Sequence, residues 1–154
     1  MDGSLKVQVH FDGSSVMRGG RFVAAWAFTV DGGGVDHEGM GLVSATTAAG
    51  EKGEAAGSGS PPSTNNVAEY TAAIRALEYL VSKGFRGHVE VMGDSQLVIR
   101  QFSGEYSVKS SHLKVLHEQL KTLARNFEKV DFEWVPREQN RRADYLSKEA
   151  LRGH

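Results

Sequence analysis

The sequence predicts an α/β domain in which a five-stranded mixed sheet is flanked by helices. Three segments with the two-residue period of β-strands come first, and strands then alternate with segments of helical period, in the order β-β-β-α-β-α-α-β-α. The length of 154 residues and the apolar fraction of 40% are typical of one globular domain. We therefore predict a single domain over 1–154, with three antiparallel strands followed by parallel additions.

The first three strands are predicted within the first 43 residues. Residues 5–12 alternate apolar and polar side chains, so this strand buries one face and ends on the carboxylate of Asp12. Residues 21–30 are rich in Phe, Val and Trp, and the Asp-Gly-Gly-Gly sequence at 31–34 predicts a turn into a return strand at 35–43. These strands form two successive hairpins.

Residues 46–63 are small, rich in Gly, Ser and Pro, and nearly without large apolar side chains. We predict a flexible loop here. An interdomain linker is excluded because the 45 residues before it are too few for an independent domain.

Helices and strands alternate after residue 63. Thr64, Asn65 and Asn66 offer helix caps, and apolar residues recur at helical spacing over about 66–83. A short strand ending at 93 leads into a short helix near 95–102, and leucines spaced by three and four predict a long helix over about 110–127. A fifth strand at 130–134 is stopped by Pro136, and a last helix carries Ala143, Leu146 and Ala150.

Composition excludes several classes of site. The chain has no cysteine, so any metal must bind through oxygen or histidine. No apolar run approaches the roughly 18 residues of a membrane span, and we expect a soluble, cytoplasmic protein without a membrane partner. The net charge is −1, but residues 1–99 carry −4 and residues 100–154 carry +3, so the last third either faces phosphates or forms an ordinary solvated helical surface.

Four carboxylates occupy places where strands end or helices begin. Asp12 ends the first strand, Glu69 lies in the first turn of the first helix, Asp94 follows the fourth strand, and Asp144 lies in the first turn of the last helix. Such places tend to meet along one edge of an α/β sheet. Carboxylates gathered there repel one another unless hard cations such as Mg²⁺ neutralise them.

Each carboxylate also fits an ordinary capping role. Glu69 could pair with an Asn66 cap, Asp94 could cap the helix at Ser95, and Asp144 could favour a helix N-terminus by its charge. Spacing alone leaves these alternatives open.

Four segments resemble the type 1 ribonuclease H family, and the resemblance extends over about 7–151. They are VHFDGSS at 9–15, TNNVAEYTAAIRAL at 64–77, GDSQLVI at 93–99 and WVPREQNRRADYLSKEAL at 134–151. Each segment brings one of the four carboxylates in the expected order. The resemblance implies the ribonuclease H-like fold.

The resemblance also implies an activity. It predicts an endonuclease, acting as a monomer, that hydrolyses the RNA strand of RNA/DNA hybrids with little dependence on sequence. Asp12, Glu69, Asp94 and Asp144 match the residues that hold two Mg²⁺ ions in the family, where Mn²⁺ substitutes. The hybrid is the expected partner, and double-stranded RNA is a further candidate because some compact relatives attack it.

Further residues match substrate-contacting positions of the family. Asn65 and Gln96 carry amides that both donate and accept, as recognition of a 2′-hydroxyl requires. The expected substrate-binding residues are Gly13, Ser14, Thr64, Asn65, Gln96 and Asn140.

The sequence departs from the family pattern in two places. Many bacterial members have a His in the loop before the final Asp, whereas residues 136–140 contain none, and Arg137 is the expected substitute. Residues 102–111 are too short for the basic protrusion with which many members grip substrate, so the chain resembles the compact archaeal and bacterial forms. Two alternatives stay open, namely another nuclease of the superfamily, such as an integrase or junction resolvase, and a catalytically silent hybrid-binding module.

Overall fold

A computed structural model describes residues 5–43 and 64–153. In these residues five strands form one sheet in the order β3-β2-β1-β4-β5. The strands are β1 (Lys6–Arg18), β2 (Arg21–Asp31), β3 (His37–Leu42), β4 (His88–Gly93) and β5 (Lys129–Trp134). The pairs β1/β2 and β2/β3 are antiparallel, and the pairs β1/β4 and β4/β5 are parallel. The predicted mixed sheet is confirmed.

The helices are α1 (Thr64–Ser82), α2 (Gln96–Ser103), α3 (Ser111–Ala124) and α4 (Arg141–Arg152), with a short 3₁₀ helix at Arg137–Gln139. The predicted order of strands and helices is confirmed. The segment 46–63, predicted to be a flexible loop, lies outside the described residues.

The first strand is longer than predicted. It does not end at Asp12 but continues to Arg18, because residues 13–18 keep the antiparallel register with β2 down to the pair Arg18↔Arg21. The two strands are joined through Gly19 and Gly20, whose φ angles of 56° and 78° suit a tight turn. Asp12 therefore lies inside a long paired strand, which holds its backbone firmly.

The two faces of the sheet are covered by different helices. On one face Val7, Val9 and Phe11 belong to a buried cluster with Tyr70 and Leu77 of α1. The other face of β1 packs against α4, since Asp12 and Ser14, which alternate with the apolar residues, contact that helix. The sheet thus lies between α1 and α4, and β1 contacts both.

A buried hydrogen bond connects α1 to α2. The hydroxyl of Tyr70, which is 0% exposed, donates to Gln101 Oε1 at 2.6 Å, and the amide of Gln101 donates to the carbonyl of Ser107 at 3.3 Å. This network joins α1, α2 and the segment before α3.

Candidate active site

The four carboxylates singled out in the sequence border one cavity of about 350 Å³. Oxygen atoms of Asp12, Glu69 and Asp94 all lie within 4.8 Å of one another, and Asp144 lines the same cavity. The four side chains come from β1, α1, the end of β4 and α4. The structure thus brings together all four.

The register of the sheet explains why two of them are neighbours. β1 and β4 are adjacent parallel strands, and Phe11 pairs with Gly93. The residue that follows each of these in sequence is an aspartate, so Asp12 and Asp94 lie side by side. A Cβ atom on Gly93 would lie 2.5 Å from the Phe11 ring, so the absence of a side chain there allows this close pairing.

The local positions differ in part from those predicted. Asp94 directly follows β4, and Asp144 lies in the first turn of α4, both as predicted. Glu69, however, lies in the second turn of α1, because the helix begins at Thr64. Nor does Asp94 cap α2, since Ser95 accepts the hydrogen bond from the Val98 amide at 3.3 Å.

A glycine lets α1 approach β1 closely enough to place Glu69. A Cβ atom on Gly13 would lie 2.5 Å from the backbone carbon of Ala68 and 2.5 Å from the backbone nitrogen of Glu69. The Gly13 amide also donates a hydrogen bond to the Glu69 carboxylate. Gly13 therefore positions a carboxylate through its own backbone.

The cavity places negative charge where water is scarce. Asp12 is 4% exposed and Glu69 is 5% exposed. Burial raises the pKa of Asp12 to about 7, with further increases from the charges of Asp94 and Asp144, while a hydrogen bond from Ser147 opposes them. Burial, together with the nearby Asp12 and Asp94, holds the pKa of Glu69 well above its usual range.

The pKa of Asp94 is shifted by burial and by one nearby cation. Burial raises the pKa of Asp94, and the positive charge of Arg137 lowers it again in part. A cluster of this kind costs free energy when it is fully ionised, so it favours the binding of cations.

The donor set suits a hard divalent cation. Glu69 Oε1 is buried and has no hydrogen-bond partner, so it retains lone pairs for another ligand. All the converging donors are carboxylate oxygens, which Mg²⁺ and Mn²⁺ prefer. Within 5–43 and 64–153, this is the one group of three or more acidic or histidine side chains that converges in this way.

Three further residues that contact the carboxylate-bearing residues were not identified from the sequence. Ser147 is 0% exposed and donates to Asp12 Oδ2 at 2.8 Å, and Lys148 lies 3.2 Å from Asp144 Oδ2. Both follow Asp144 by three or four residues, the spacing that puts helical side chains on one face, so the signal was present in the sequence. The Trp134 indole donates to the backbone oxygen of Asp94 at 3.2 Å, a contact that no local pattern indicates.

Some of the predicted substrate-contacting residues border the cavity. Gly13, Ser14 and Asn65 are among its lining residues, and so is Arg137, the expected substitute for the loop His. The Ser14 hydroxyl is already engaged, at 2.6 Å from Ser147 Oγ. Thr64 is the first residue of α1, beside this group in sequence.

Two other predicted contacts lie elsewhere. Gln96 begins α2 with an exposed side chain that accepts from Arg100 Nε at 3.3 Å, outside the lining of the cavity. Asn140 is 1% exposed, and its amide donates to the Phe11 carbonyl at 2.9 Å. This bond holds the Asn140 side chain against β1, its Oδ1 has no partner among the described residues, and its contact with substrate stays a prediction.

None of the helices in the described residues is both long and apolar enough to cross a membrane.

Comparison with protein families matches residues 31–150 to the model described as reverse transcriptase-like. Among curated relatives, the Ribonuclease HI of Halobacterium salinarum is 34% identical over 146 residues, covering 95% of this chain and 64% of the relative. The bifunctional protein Rv2228c of Mycobacterium tuberculosis is 42% identical over 88 residues, covering 57% of this chain and 24% of the relative. The chain thus spans about a quarter of the mycobacterial protein and less than two thirds of the archaeal one.

Solved structures give similar matches. The crystal structure of RNase H1 from Halobacterium salinarum superposes with a TM-score of 0.76 at 33% identity, covering 97% of this chain and 99% of that one. The LC11-RNase H1 crystal structure, which is in complex with an RNA/DNA hybrid, superposes with a TM-score of 0.74 at 31% identity, covering 96% and 97%. Both alignments include nearly the whole of this chain, so the chain is similar to these proteins in sequence as well as in fold.

Proposed function

Because the chain belongs to the type 1 ribonuclease H family, we propose that it is an endonuclease that hydrolyses the RNA strand of RNA/DNA hybrids. The observation that carries the proposal is the convergence of Asp12, Glu69 and Asp94, with Asp144, at one open cavity. A hybrid-binding module without activity would have no need of a carboxylate cluster in which Asp12 and Glu69 are buried, because such a cluster costs stability.

The carboxylates Asp12, Glu69, Asp94 and Asp144 would hold two Mg²⁺ ions, for which Mn²⁺ substitutes. When bound, such ions supply a nucleophilic water near neutral pH and stabilise charge on phosphate oxygens. The protein's part is to keep Asp12 and Glu69 buried, with Glu69 aligned by the bond from the Gly13 amide. Buried, preset carboxylates need little rearrangement when the ions bind.

Arg137 is exposed at the rim of the cavity and acts on Asp94 through its charge. We propose that its guanidinium binds the phosphate group of the cleaved strand. It stays charged at neutral pH, so it provides no proton transfer.

Recognition of the RNA strand would use short polar groups rather than base contacts. A hybrid has a wide minor groove that displays 2′-hydroxyls on one strand only. The exposed Asn65 of α1 and Ser14 of β1 line the same cavity as the carboxylates, so they would face that groove when a hybrid binds there. Contacts of this kind read no base sequence, so cleavage should be largely independent of sequence.

The test is cleavage of end-labelled RNA/DNA hybrid, double-stranded RNA, duplex DNA and a four-way DNA junction, each with Mg²⁺, Mn²⁺ or chelator. We expect cutting of the RNA strand of the hybrid in both metals and none in chelator. Asp94→Asn is the inactive variant, and Asp36→Asn, which changes an exposed carboxylate outside the cluster, is its matched control.

Each other outcome assigns a different function. Cleavage of the junction alone would point to a resolvase, and binding without cleavage would point to a silent hybrid-binding module. Activity on double-stranded RNA, a monomeric state and a cytoplasmic location stay predictions.

A further inference from the structure

Ser147 is a buried hydroxyl that the proposed reaction does not itself use. It lies on α4 one turn after Asp144, is 0% exposed, and faces β1. An alanine would occupy the same space apart from the oxygen atom. Because a buried hydroxyl is costly unless it is hydrogen-bonded, its contacts indicate what it does.

Three oxygen atoms surround the Ser147 hydroxyl. Its Oγ lies 2.8 Å from Asp12 Oδ2, 3.0 Å from the carbonyl oxygen of Asp144 and 2.6 Å from Ser14 Oγ. A hydroxyl has a single proton to donate, and an ionised carboxylate is a stronger acceptor than a carbonyl. When Asp12 is ionised, Ser147 therefore donates to Asp12, and Ser14 donates to Ser147.

The bond links the strand and the helix that carry two of the cluster's carboxylates. Asp12 is on β1, and Asp144 is on the same face of α4 as Ser147, so one hydroxyl ties the strand to the helix at the cavity. It also engages one oxygen of the Asp12 carboxylate, which restricts rotation of that group. A carboxylate fixed in this way meets a cation without first losing rotational freedom.

We propose that Ser147, supported by Ser14, is a positioning residue that holds the Asp12 carboxylate in the orientation in which it binds a divalent cation. The inference rests on the proposed function for the existence of the metal site, and it adds a residue outside the four carboxylates.

The experiment measures Mn²⁺ binding to the whole protein by titration calorimetry, without nucleic acid, for wild type, Ser147→Ala and Ser14→Ala. We expect Ser147→Ala to bind Mn²⁺ about tenfold more weakly, the usual effect of losing a group that orients a metal ligand. Ser14→Ala should fall between this variant and wild type. In hybrid cleavage, raising the Mn²⁺ concentration should restore most of the kcat of Ser147→Ala, because the bound geometry is then enforced by the ion.

Thr71→Val is the matched control for the loss of a buried hydroxyl. Thr71 is 4% exposed, donates to the Val67 carbonyl at 2.7 Å, and is not among the residues that line the cavity. It should lower the free energy of unfolding and leave the Mn²⁺ dissociation constant unchanged.

Mn²⁺ affinity of Ser147→Ala within about twofold of wild type would overturn the proposal, whatever its stability. If circular dichroism shows that Ser147→Ala does not fold, Ser14→Ala decides, and unchanged binding by that variant overturns the proposal. A wild-type protein that binds Mn²⁺ but cuts no hybrid would overturn the proposed function alone, whereas a wild type that binds no Mn²⁺ would overturn both.

Discussion

Replacing Asp12 by asparagine should stabilise the metal-free protein at pH 8 while it removes hybrid cleavage. The carboxylate is 4% exposed, and burial together with neighbouring charges raises its pKa to about 7. Asparagine keeps the shape and an oxygen that accepts from Ser147, but it carries no charge. The substitution therefore removes the cost of burying a charge, and its repulsion by Asp94 and Asp144, from the folded state and leaves the packing nearly unchanged.

The magnitude follows from the two pKa values. In the unfolded chain the group ionises near its ordinary value of 3.8, and in the folded protein it ionises at about 7. Between these values the folded state retains a proton that the unfolded state has lost, so the stability of the wild type falls as pH rises, by at most about 1.4 kcal/mol per pH unit. Above pH 7 the loss is complete at roughly 4 kcal/mol, and we expect a gain of about 2–4 kcal/mol for the variant.

Urea denaturation in chelator at pH 8 and pH 5, followed by circular dichroism, measures this gain. At pH 5 the gain should be less than half of its value at pH 8, because the folded wild type is then mostly protonated at Asp12. Saturating Mg²⁺ should stabilise wild type more than the variant. The exposed control Asp36→Asn should change the free energy of unfolding by less than about 0.5 kcal/mol. The reasoning would be refuted if the variant were no more stable than wild type at pH 8. It would also be refuted if the gain in the free energy of unfolding were equal at both pH values.

Four further outcomes are expected. Asp94→Asn should lower kcat at least about 100-fold at saturating Mg²⁺, because an ion loses a charged ligand. Single-turnover cleavage measures this loss, and activity near that of wild type would contradict the metal mechanism. Arg137→Ala should lower kcat about tenfold or more, and Arg137→Lys, which keeps the charge, should lower it less. An unchanged kcat in Arg137→Ala would contradict the proposed role of Arg137. Gly13→Ala should cost about 1–3 kcal/mol or more in urea denaturation, since the new Cβ meets backbone at 2.5 Å. Tyr70→Phe should cost about 1–3 kcal/mol by leaving the buried Gln101 oxygen without its donor, and an unchanged denaturation midpoint would contradict this.

The order of strands and helices could be predicted because each has its own hydrophobic period, which is a property of neighbouring residues. The end of β1 could not, because residues 13–15 are Gly-Ser-Ser and show no alternation. These residues stay in the strand because β2 supplies a paired backbone opposite them, as in Ser14↔Ala25. Strand length here depends on the partner, and the partner is distant in sequence.

The candidate site was likewise predictable only in part. Motifs identified Asp12, Glu69, Asp94 and Asp144, but their convergence depends on the sheet register and on how closely the helices approach β1. For a related reason, only the structure shows that the Asn140 amide donates to the Phe11 carbonyl, and the predicted contact of Asn140 with substrate stays a prediction. Helical spacing from Asp144 could have indicated Ser147 and Lys148, whereas the contacts of Asn140 and Trp134 join residues distant in sequence, so no local pattern reveals them.

The net charge of the last third of the chain does not describe the charge around the cavity. Most of its cations that form ion pairs in the described residues do so with acids away from the cavity, as in the pairs Arg100–Glu105, Lys129–Asp131, Arg142–Glu38 and Arg152–Glu149. Arg137 and Lys148, in contrast, line the cavity beside Asp94 and Asp144. Because exposed charges act over about 8–10 Å in physiological salt, cations that line the cavity act on a phosphate at the carboxylates more strongly than cations paired elsewhere on the surface. The excess of +3 therefore matters less to the proposed reaction than the positions of two side chains.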